Sequence, residues 1–347
     1  MKYSIDDIRI FMLTHNRKEM AEKMLKSILC QTANINEVIV LDNNSVDGTV
    51  ELFENYPDKR VKYVKTLGGD GSYLKLLELA DKKYLCFFHD DDYIHPQYLE
   101  RQVAILNKLE KEPVVITSGY LNFTDDSEID FGSDLAMGFF VPDDEKQFSE
   151  IVLSNVCRFC YPATIYKTEV YKKISVHQLM KKYGRLADYF VVCKAMEYGC
   201  GAILNDNKAY MHRVHKRMDS LDPLTKITDI QFQNLVNEIN KQTDNFENIS
   251  IMRKYEVLMD FYRHLHNNID FYEYKGIQKL FNEAQTVKKV LQIRSDRYKN
   301  FISYLKYLFT IKIFKTFLMR RLYWTNEAKI KKNCRFVNLD KEALCEK

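Results

Sequence analysis

The chain has 347 residues, 46% of them hydrophobic and 29% charged, and a formal net charge of +4. Its apolar content excludes a disordered chain, and 11 Gly and 6 Pro exclude collagen-like and linker-rich architectures. The near-cancellation of charge excludes the basic balance of a nucleic-acid-binding protein, and eight cysteines are too few for a disulfide scaffold.

The amino-terminal stretch carries Asp6 and Asp7 and no long apolar core, so it does not read as a secretory signal. No apolar stretch of about 20 residues is free of charge, so no membrane-spanning helix is expected. Together these predict a cytoplasmic protein with reduced thiols. Length alone suggests one large domain or two moderate ones.

Residues 8–13 (Ile-Arg-Ile-Phe-Met-Leu) read as a buried strand. Residues 17–29 follow with Met20, Met24 and Ile28 at helical spacing. A second strand is predicted over 37–41, a helix from Asp47 to Phe53, a third strand over 61–64, a helix over roughly 72–80 and a fourth strand over 84–88. This alternation predicts an α/β fold, a Rossmann-like, mostly parallel sheet flanked by helices. Ligands then bind beyond the carboxyl ends of the strands. Polar clusters stand there: Thr14-His-Asn-Arg17, Asp42-Asn-Asn-Ser-Val-Asp-Gly-Thr49, and His89-Asp-Asp-Asp-Tyr93.

A change of character near Asp219 divides the chain into an α/β domain, residues 1–222, and a helical carboxyl-terminal region, residues 223–347. In the latter, 227–239, 251–265 and 277–293 carry apolar residues at three- and four-residue spacing.

Four constellations can carry chemistry, and each has a plainer reading. Three consecutive carboxylates, Asp90, Asp91 and Asp92, repel one another unless a hard cation such as Mg²⁺ or Mn²⁺ sits among them; otherwise they form an acidic turn or cap. Asp42 can bind a ligand or close an Asx turn. In Tyr210-Met-His-Arg-Val-His-Lys-Arg217, alternation sets Arg213 and His215 on one side and His212 on the other. They suit metal or phosphate, or a basic edge strand. Asp188 opens a helical run and can be a base or a cap. Gly68-Gly-Asp-Gly71 lacks the dinucleotide pattern, and the single Cys157/Cys160 pair is weak evidence for zinc or redox chemistry.

Taken in order, residues 8–220 resemble the family 2 glycosyltransferases, inverting enzymes of the glycosyltransferase A fold, of the bacterial cell-surface polysaccharide type. Leu13-Thr-His-Asn-Arg17 is similar to the family's first strand end, Asp42 to Thr49 matches its Asp-Asn-x-Ser-x-Asp-Gly-Thr, and His89 to Pro96 resembles its acidic cluster and following proline. Ala187-Asp188 stands for its acidic pair, and His212-Arg-Val-His215 for its late basic motif.

The resemblance implies a donor site of Thr14, Asn16, Arg17, Asp42, Asn44, His89, Asp90 and Arg213, with Asp42 at the uracil or ribose. It implies Mn²⁺ or Mg²⁺ held by Asp91 and His215, and Asp188 as general base. The implied partners are a UDP-sugar and a glycan acceptor, lipid-linked, as in capsule or O-antigen synthesis; which sugar is donated stays open.

Three positions depart from the family pattern: His89 replaces an Asp, Ala187 a Glu, and Tyr73 an Arg. Either Asp90 and Asp92 take over, or His89 itself contacts ribose or metal. Two other readings stay open: a sugar-nucleotide nucleotidyltransferase, disfavoured because 14–17 holds no Gly, and a non-catalytic nucleotide- or glycan-binding subunit.

Residues 297–326 hold seven Lys and Arg and no Asp or Glu among many aromatics. They are expected either to rest on the anionic inner face of the membrane or to pack as a helix on the protein.

Overall fold

The computed structural model describes residues 2–153, 161–184, 187–204, 206–215 and 334–339, with residues 230, 231, 234 and 238. The elements run β1 (Ile8–Thr14), α1 (Lys18–Leu29), β2 (Val38–Asp42), α2 (Thr49–Glu54), β3 (Val61–Lys65), α3 (Gly71–Leu79) and β4 (Tyr84–His89). There follow β5 (Tyr93–Ile94), α4 (Tyr98–Lys108), β6 (Val115–Ser118), β7 (Tyr120–Phe123), β8 (Gly138–Val141), α5 (Glu145–Leu153) and β9 (Thr164–Lys167). The last are α6 (Thr168–Lys173), α7 (Val176–Tyr183), α8 (Ala187–Met196), β10 (Gly201–Leu204), β11 (Tyr210–Arg213) and β12 (Arg335–Asn338).

The main sheet has the order β12-β8-β10-β6-β9-β4-β1-β2-β3. β1 pairs in parallel with β2 and β4, β2 with β3, and β6 with β10. The expected parallel order therefore holds in the first third and between β6 and β10. β9 runs antiparallel between β4 and β6, β8 antiparallel to β10, and β12 antiparallel to β8. The short apolar runs of the second half carry no directional signal, so this mixture was not readable from them.

Alternation builds the core. Ile8, Ile10, Met12, Val38, Val40, Cys86 and Phe88 face one layer with Met24, Leu25 and Ile28 of α1 and Leu99 and Ile105 of α4. Phe11, Ile39, Leu41, Leu85 and Phe87 face the other, with Leu76 of α3 and Val191, Val192 and Ala195 of α8. Period-two geometry sends successive side chains to opposite faces. His89 thus follows Phe87 onto the α8 side, which decides what it meets.

A smaller sheet, β5-β11-β7, stands beside the first. β11 pairs antiparallel with β5 (Met211↔Tyr93) and parallel with β7 (His212↔Asn122, Arg213↔Phe123). It brings residues 210–215 against the turn after β4.

His95, 2% exposed, ends that turn. Its Nδ1 accepts the Gln97 N–H at 3.1 Å, and its Nε2 lies 3.1 Å from the Ser133 carbonyl. These partners assign the proton to Nε2. Burial lowers its pKa below the ordinary histidine value. The unfolded chain then binds more protons than the native one as pH falls below about 6.5, so this contribution is present above that pH and is lost on acidification. Thermal melts of wild type and His95→Gln across this range should converge at acid pH; a constant gap would refute the linkage.

β12 lies within residues 223–347 yet joins the main sheet at β8. Gln231 and Asn234 donate to the carbonyls of Met180, Lys181 and Lys182 near the end of α7, and Glu238 accepts from Tyr183. The predicted segments 251–265, 277–293 and 297–326 lie outside the described residues, as does the Cys157/Cys160 pair. Among the described residues no helix is long and apolar enough to cross a membrane.

Candidate active site at the carboxyl edge of the sheet

Register places Thr14 beside Asp42 and Leu13 beside His89, so three strand ends open at one level. The loops that follow are laced together. The Asn16 N–H donates to Ser45 Oγ at 2.8 Å, and Asn16 Oδ1 accepts from the Val46 N–H at 2.7 Å. His15 Nδ1 lies 2.9 Å from the Asn43 carbonyl. Asn16 (φ 52°) and Asn44 (φ 66°) take the left-handed conformation, which Asn tolerates better than most residues. Asn44 is exposed beside Gly68.

Asp42 is fully buried. Its Oδ1 accepts from Ser45 N–H (3.0 Å) and Oγ–H (2.5 Å), and its Oδ2 from the Tyr63 hydroxyl (2.7 Å). Burial, reinforced by this bond, raises the Tyr63 pKa, so the phenol stays a donor. Asp42 thus anchors the β2 loop.

Asp90 is 1% exposed and accepts from Thr14 Oγ1 (2.8 Å), His15 N–H (3.1 Å) and Arg17 Nη1 (2.9 Å). Burial pushes its pKa up, against the pull of Arg17. Arg17 Nη1 also reaches Asp91 Oδ2 at 3.2 Å, where His215 Nε2 arrives at 2.9 Å. Burial acts to raise Asp91, but Arg17, His89 and His215 outweigh it and hold the carboxyl below its ordinary value. Asp92 accepts from the Tyr210 hydroxyl at 2.6 Å and the Arg213 N–H at 2.8 Å, and His212 Nδ1 lies 3.3 Å away. Burial disfavours the His212 cation, yet the Asp92 contact prevails and raises its pKa.

Arg213 is a tether in this structure. Its Nε donates to the Asp91 carbonyl at 2.7 Å, Nη2 pairs with Asp126, and its guanidinium stacks 4.4 Å from the Phe123 ring centroid. Lys23 binds the same Asp126 at 2.6 Å.

His89, Asp91 and Asp92 bring one ligand atom each within 4.8 Å of one another. One imidazole nitrogen and two carboxylate oxygens suit a divalent cation such as Mn²⁺ or Mg²⁺. His215, which the resemblance implies as a ligand beside Asp91, lies with its Nε2 2.9 Å from Asp91 Oδ2.

Asp188 is the second residue of α8 and only partly exposed. Burial pushes its pKa up to about 6, opposed by the charge of His89 nearby. On the same side, Tyr73, Tyr161 and Tyr171 join their hydroxyls in a ring: Tyr161 to Tyr171 at 2.7 Å, Tyr171 to Tyr73 at 2.9 Å, and Tyr73 to Tyr161. Burial raises all three, and the charge of Asp188 adds to it. Tyr73 thus makes a neutral hydroxyl cluster where the resemblance expects an arginine.

Sequence reasoning brought Thr14, Asn16, Arg17, Asp42, His89, Asp90, Asp91, Arg213 and His215 to one strand-end region, and the structure assembles them there. It missed Ser45, Tyr63, Asp126 and Tyr210, which hold that region in place. Ser45 had a readable signal, since Asp followed three residues later by Ser suits an Asx-type closure.

A mixed α/β sheet with these strand-end loops defines the glycosyltransferase A fold. S. aureus TarS 1-349, solved in complex with UDP-GlcNAc, superposes with a TM-score of 0.50 at 18% identity, covering 74% of this chain and 72% of that one. Residues 9–174 match the family model "Glycosyl transferase family 2".

An uncharacterized glycosyltransferase of Rickettsia typhi is 31% identical over 114 residues, 33% of this chain and 36% of that protein. The cholesterol galactosyltransferase of Borreliella burgdorferi is 28% identical over 128 residues, 35% of this chain and 34% of that protein. The chain thus spans about a third of the length of these relatives.

Proposed function

We propose that this protein is an inverting glycosyltransferase, moving a hexose or N-acetylhexosamine from a UDP-sugar to a hydroxyl of a growing, lipid-linked cell-surface glycan. The observation that carries the reading is the placement of Asp188, a partly buried carboxylate, beside the His89–Asp91–Asp92 cluster. TarS, of the same fold, holds UDP-GlcNAc, which supports a UDP-sugar donor.

In this mechanism the β1 and β2 loops, with Thr14, Asn16, Arg17, Asp42 and Asn44, seat the nucleotide. Asp188 takes the proton of the acceptor hydroxyl as its oxygen attacks the anomeric carbon. The bond from that carbon to the phosphate oxygen breaks, and its electron pair leaves with UDP. A single displacement inverts the centre. His89, Asp91 and Asp92 would hold a divalent cation, which would supply charge stabilisation to the departing diphosphate. Arg17 and His215 fix Asp91 in place for that role. The domain division at residue 222 and an inner-membrane contact through residues 297–326 complete the proposal.

A thermal-shift panel of UDP, GDP and CDP, each with Mn²⁺ or with EDTA, tests it. At a hundred times its dissociation constant a ligand stabilises by about 2.7 kcal/mol. A UDP-selective shift that weakens in EDTA is expected. A GDP- or CDP-selective shift would overturn the donor, and an EDTA-insensitive one the metal.

A further inference from the structure

We propose that the closed ring of Tyr73, Tyr161 and Tyr171 hydroxyls is a positioning device for Asp188: it commits every O–H donor to itself and leaves the carboxylate a bare acceptor for the incoming proton. This rests on Asp188 being the base, as above. Tyr171 donates to Tyr73 at 2.9 Å, and two further contacts close the cycle, Tyr161 to Tyr171 at 2.7 Å and Tyr73 to Tyr161. Each hydroxyl carries one proton, so three donors make three bonds and none is left over. The turn Tyr161–Ala163 packs on both α8 and β4, and the charge of Asp188 acts on all three phenols. Yet among the described residues no other side chain donates to the Asp188 carboxylate, whose own backbone N–H is the donor acting on it.

A bond from a hydroxyl to a carboxylate is about twice as strong as one between neutral groups, so something must hold the ring shut. The aromatic frame does so. Phe87 meets Tyr161 edge-on at 4.9 Å between centroids and Tyr73 at 6.2 Å, and Tyr166 lies 4.9 Å from Tyr171. Tyr171 is fully buried and Tyr161 is 5% exposed, so close packing fixes their oxygens facing one another. Donors to a carboxylate favour its charged form and weaken it as a base. Asp188, spared them and partly open, keeps its affinity for a proton. His89 of β4 is the charged group acting on it. The helices α5 and α7 also pack on α8, but Glu145 acts with Glu197 and Lys194, His177 pairs with Asp70, and Lys182 with Glu238.

The test is Tyr73→Phe in the full chain, at the partly exposed corner of the ring. The Tyr171 O–H that served Tyr73 then loses its acceptor, and the carboxylate becomes its best replacement. Turnover is followed as UDP release from UDP-glucose, UDP-galactose and UDP-N-acetylglucosamine. The acid limb of the pH–rate profile should move down by about one unit. Plateau turnover should fall about three- to tenfold as the base weakens, with KM for the donor unchanged. Infrared difference spectra against Asp188→Asn, which need no substrate, should show the Asp188 carboxyl titrating at correspondingly lower pH. Tyr171→Phe opens the ring at a second corner and should act alike. Tyr166→Phe removes a hydroxyl from the same aromatic frame but not from the ring, and should leave the limb in place. Melting curves establish that each variant folds.

An unmoved limb and an unmoved carboxyl titration in folded Tyr73→Phe would overturn the role of the ring, and lost turnover in Asp188→Asn would still keep the base. A limb that moves as far in Tyr166→Phe would make the effect one of packing, and overturn it too. Near-normal turnover of Asp188→Asn would overturn the base and this inference together.

Discussion

Asp188→Asn is expected to lower turnover by roughly 10²–10⁴-fold, the usual worth of a positioned general base, while UDP affinity stays unchanged. A second result should accompany it. Burial raises the Asp188 pKa to about 6, so between the ordinary carboxylate value and about 6 the native state binds more protons than the unfolded one. Native stability therefore falls as pH rises through that window, by at most about 3 kcal/mol at 1.36 kcal/mol per unit.

Asparagine removes the buried charge. The variant should melt higher than wild type near neutral pH and lose that advantage at about pH 4. Activity lost together with stability gained is the signature of a strained functional group. The wild-type pH–rate profile should show an acid limb near 6 that reports this carboxyl. Near-normal turnover of Asp188→Asn would remove it as the base. Lost turnover with lowered stability at neutral pH would mean that Asp188 acts as a structural cap.

What was legible in the sequence and what was not divides along contact range. Thr14, Asp42 and His89 sit at the ends of apolar strands, and parallel pairing of such strands aligns their ends. Their meeting therefore followed from the strand pattern alone. The partners of Asp92 lie up to 121 positions away, as the Arg213 N–H does, and nothing in local spacing announces them. They meet because β11 pairs with β5 in a separate sheet, and a two-residue strand such as Tyr93–Ile94 carries no periodicity to read. Asp126 was invisible for the same reason: an Asp in a polar turn looks like any cap until Arg213 and Lys23 are seen to close on it. Motif chemistry pointed to the candidate carboxylates, whereas their supports emerged only from tertiary pairing. Arg213 and His215, read as ligand contacts, also touch the acidic turn itself, a contact that local spacing did not announce.

Arg17→Met is expected to destabilise the fold by roughly 3–5 kcal/mol, the cost of stranding a buried charge. Asp90 has a side chain only 2% exposed, and Arg17 is the cation against it at 2.9 Å. Thr14 Oγ1 and the His15 N–H still donate in the variant, but neutral donors replace only part of a charge-assisted pair. Burial already raises the Asp90 pKa against the pull of Arg17; without that pull it rises further. The variant's native state then takes up a proton on acidification before its unfolded state does. The loss should thus shrink as pH falls toward the ordinary carboxylate range.

Pairing Arg17→Met with Asp90→Asn removes the stranded charge and leaves an amide oxygen for Thr14 and His15. The double variant should be more stable near neutral pH than Arg17→Met alone, with a coupling of about 1–3 kcal/mol by denaturant titration of all four proteins. Additive losses would show that Arg17 is held in place by Asp91, and that Asp90 gains little from it. Coupling would make Arg17 the strut that keeps two adjacent carboxylates charged beneath the proposed donor site, since desolvation at this depth would otherwise neutralise the first of them.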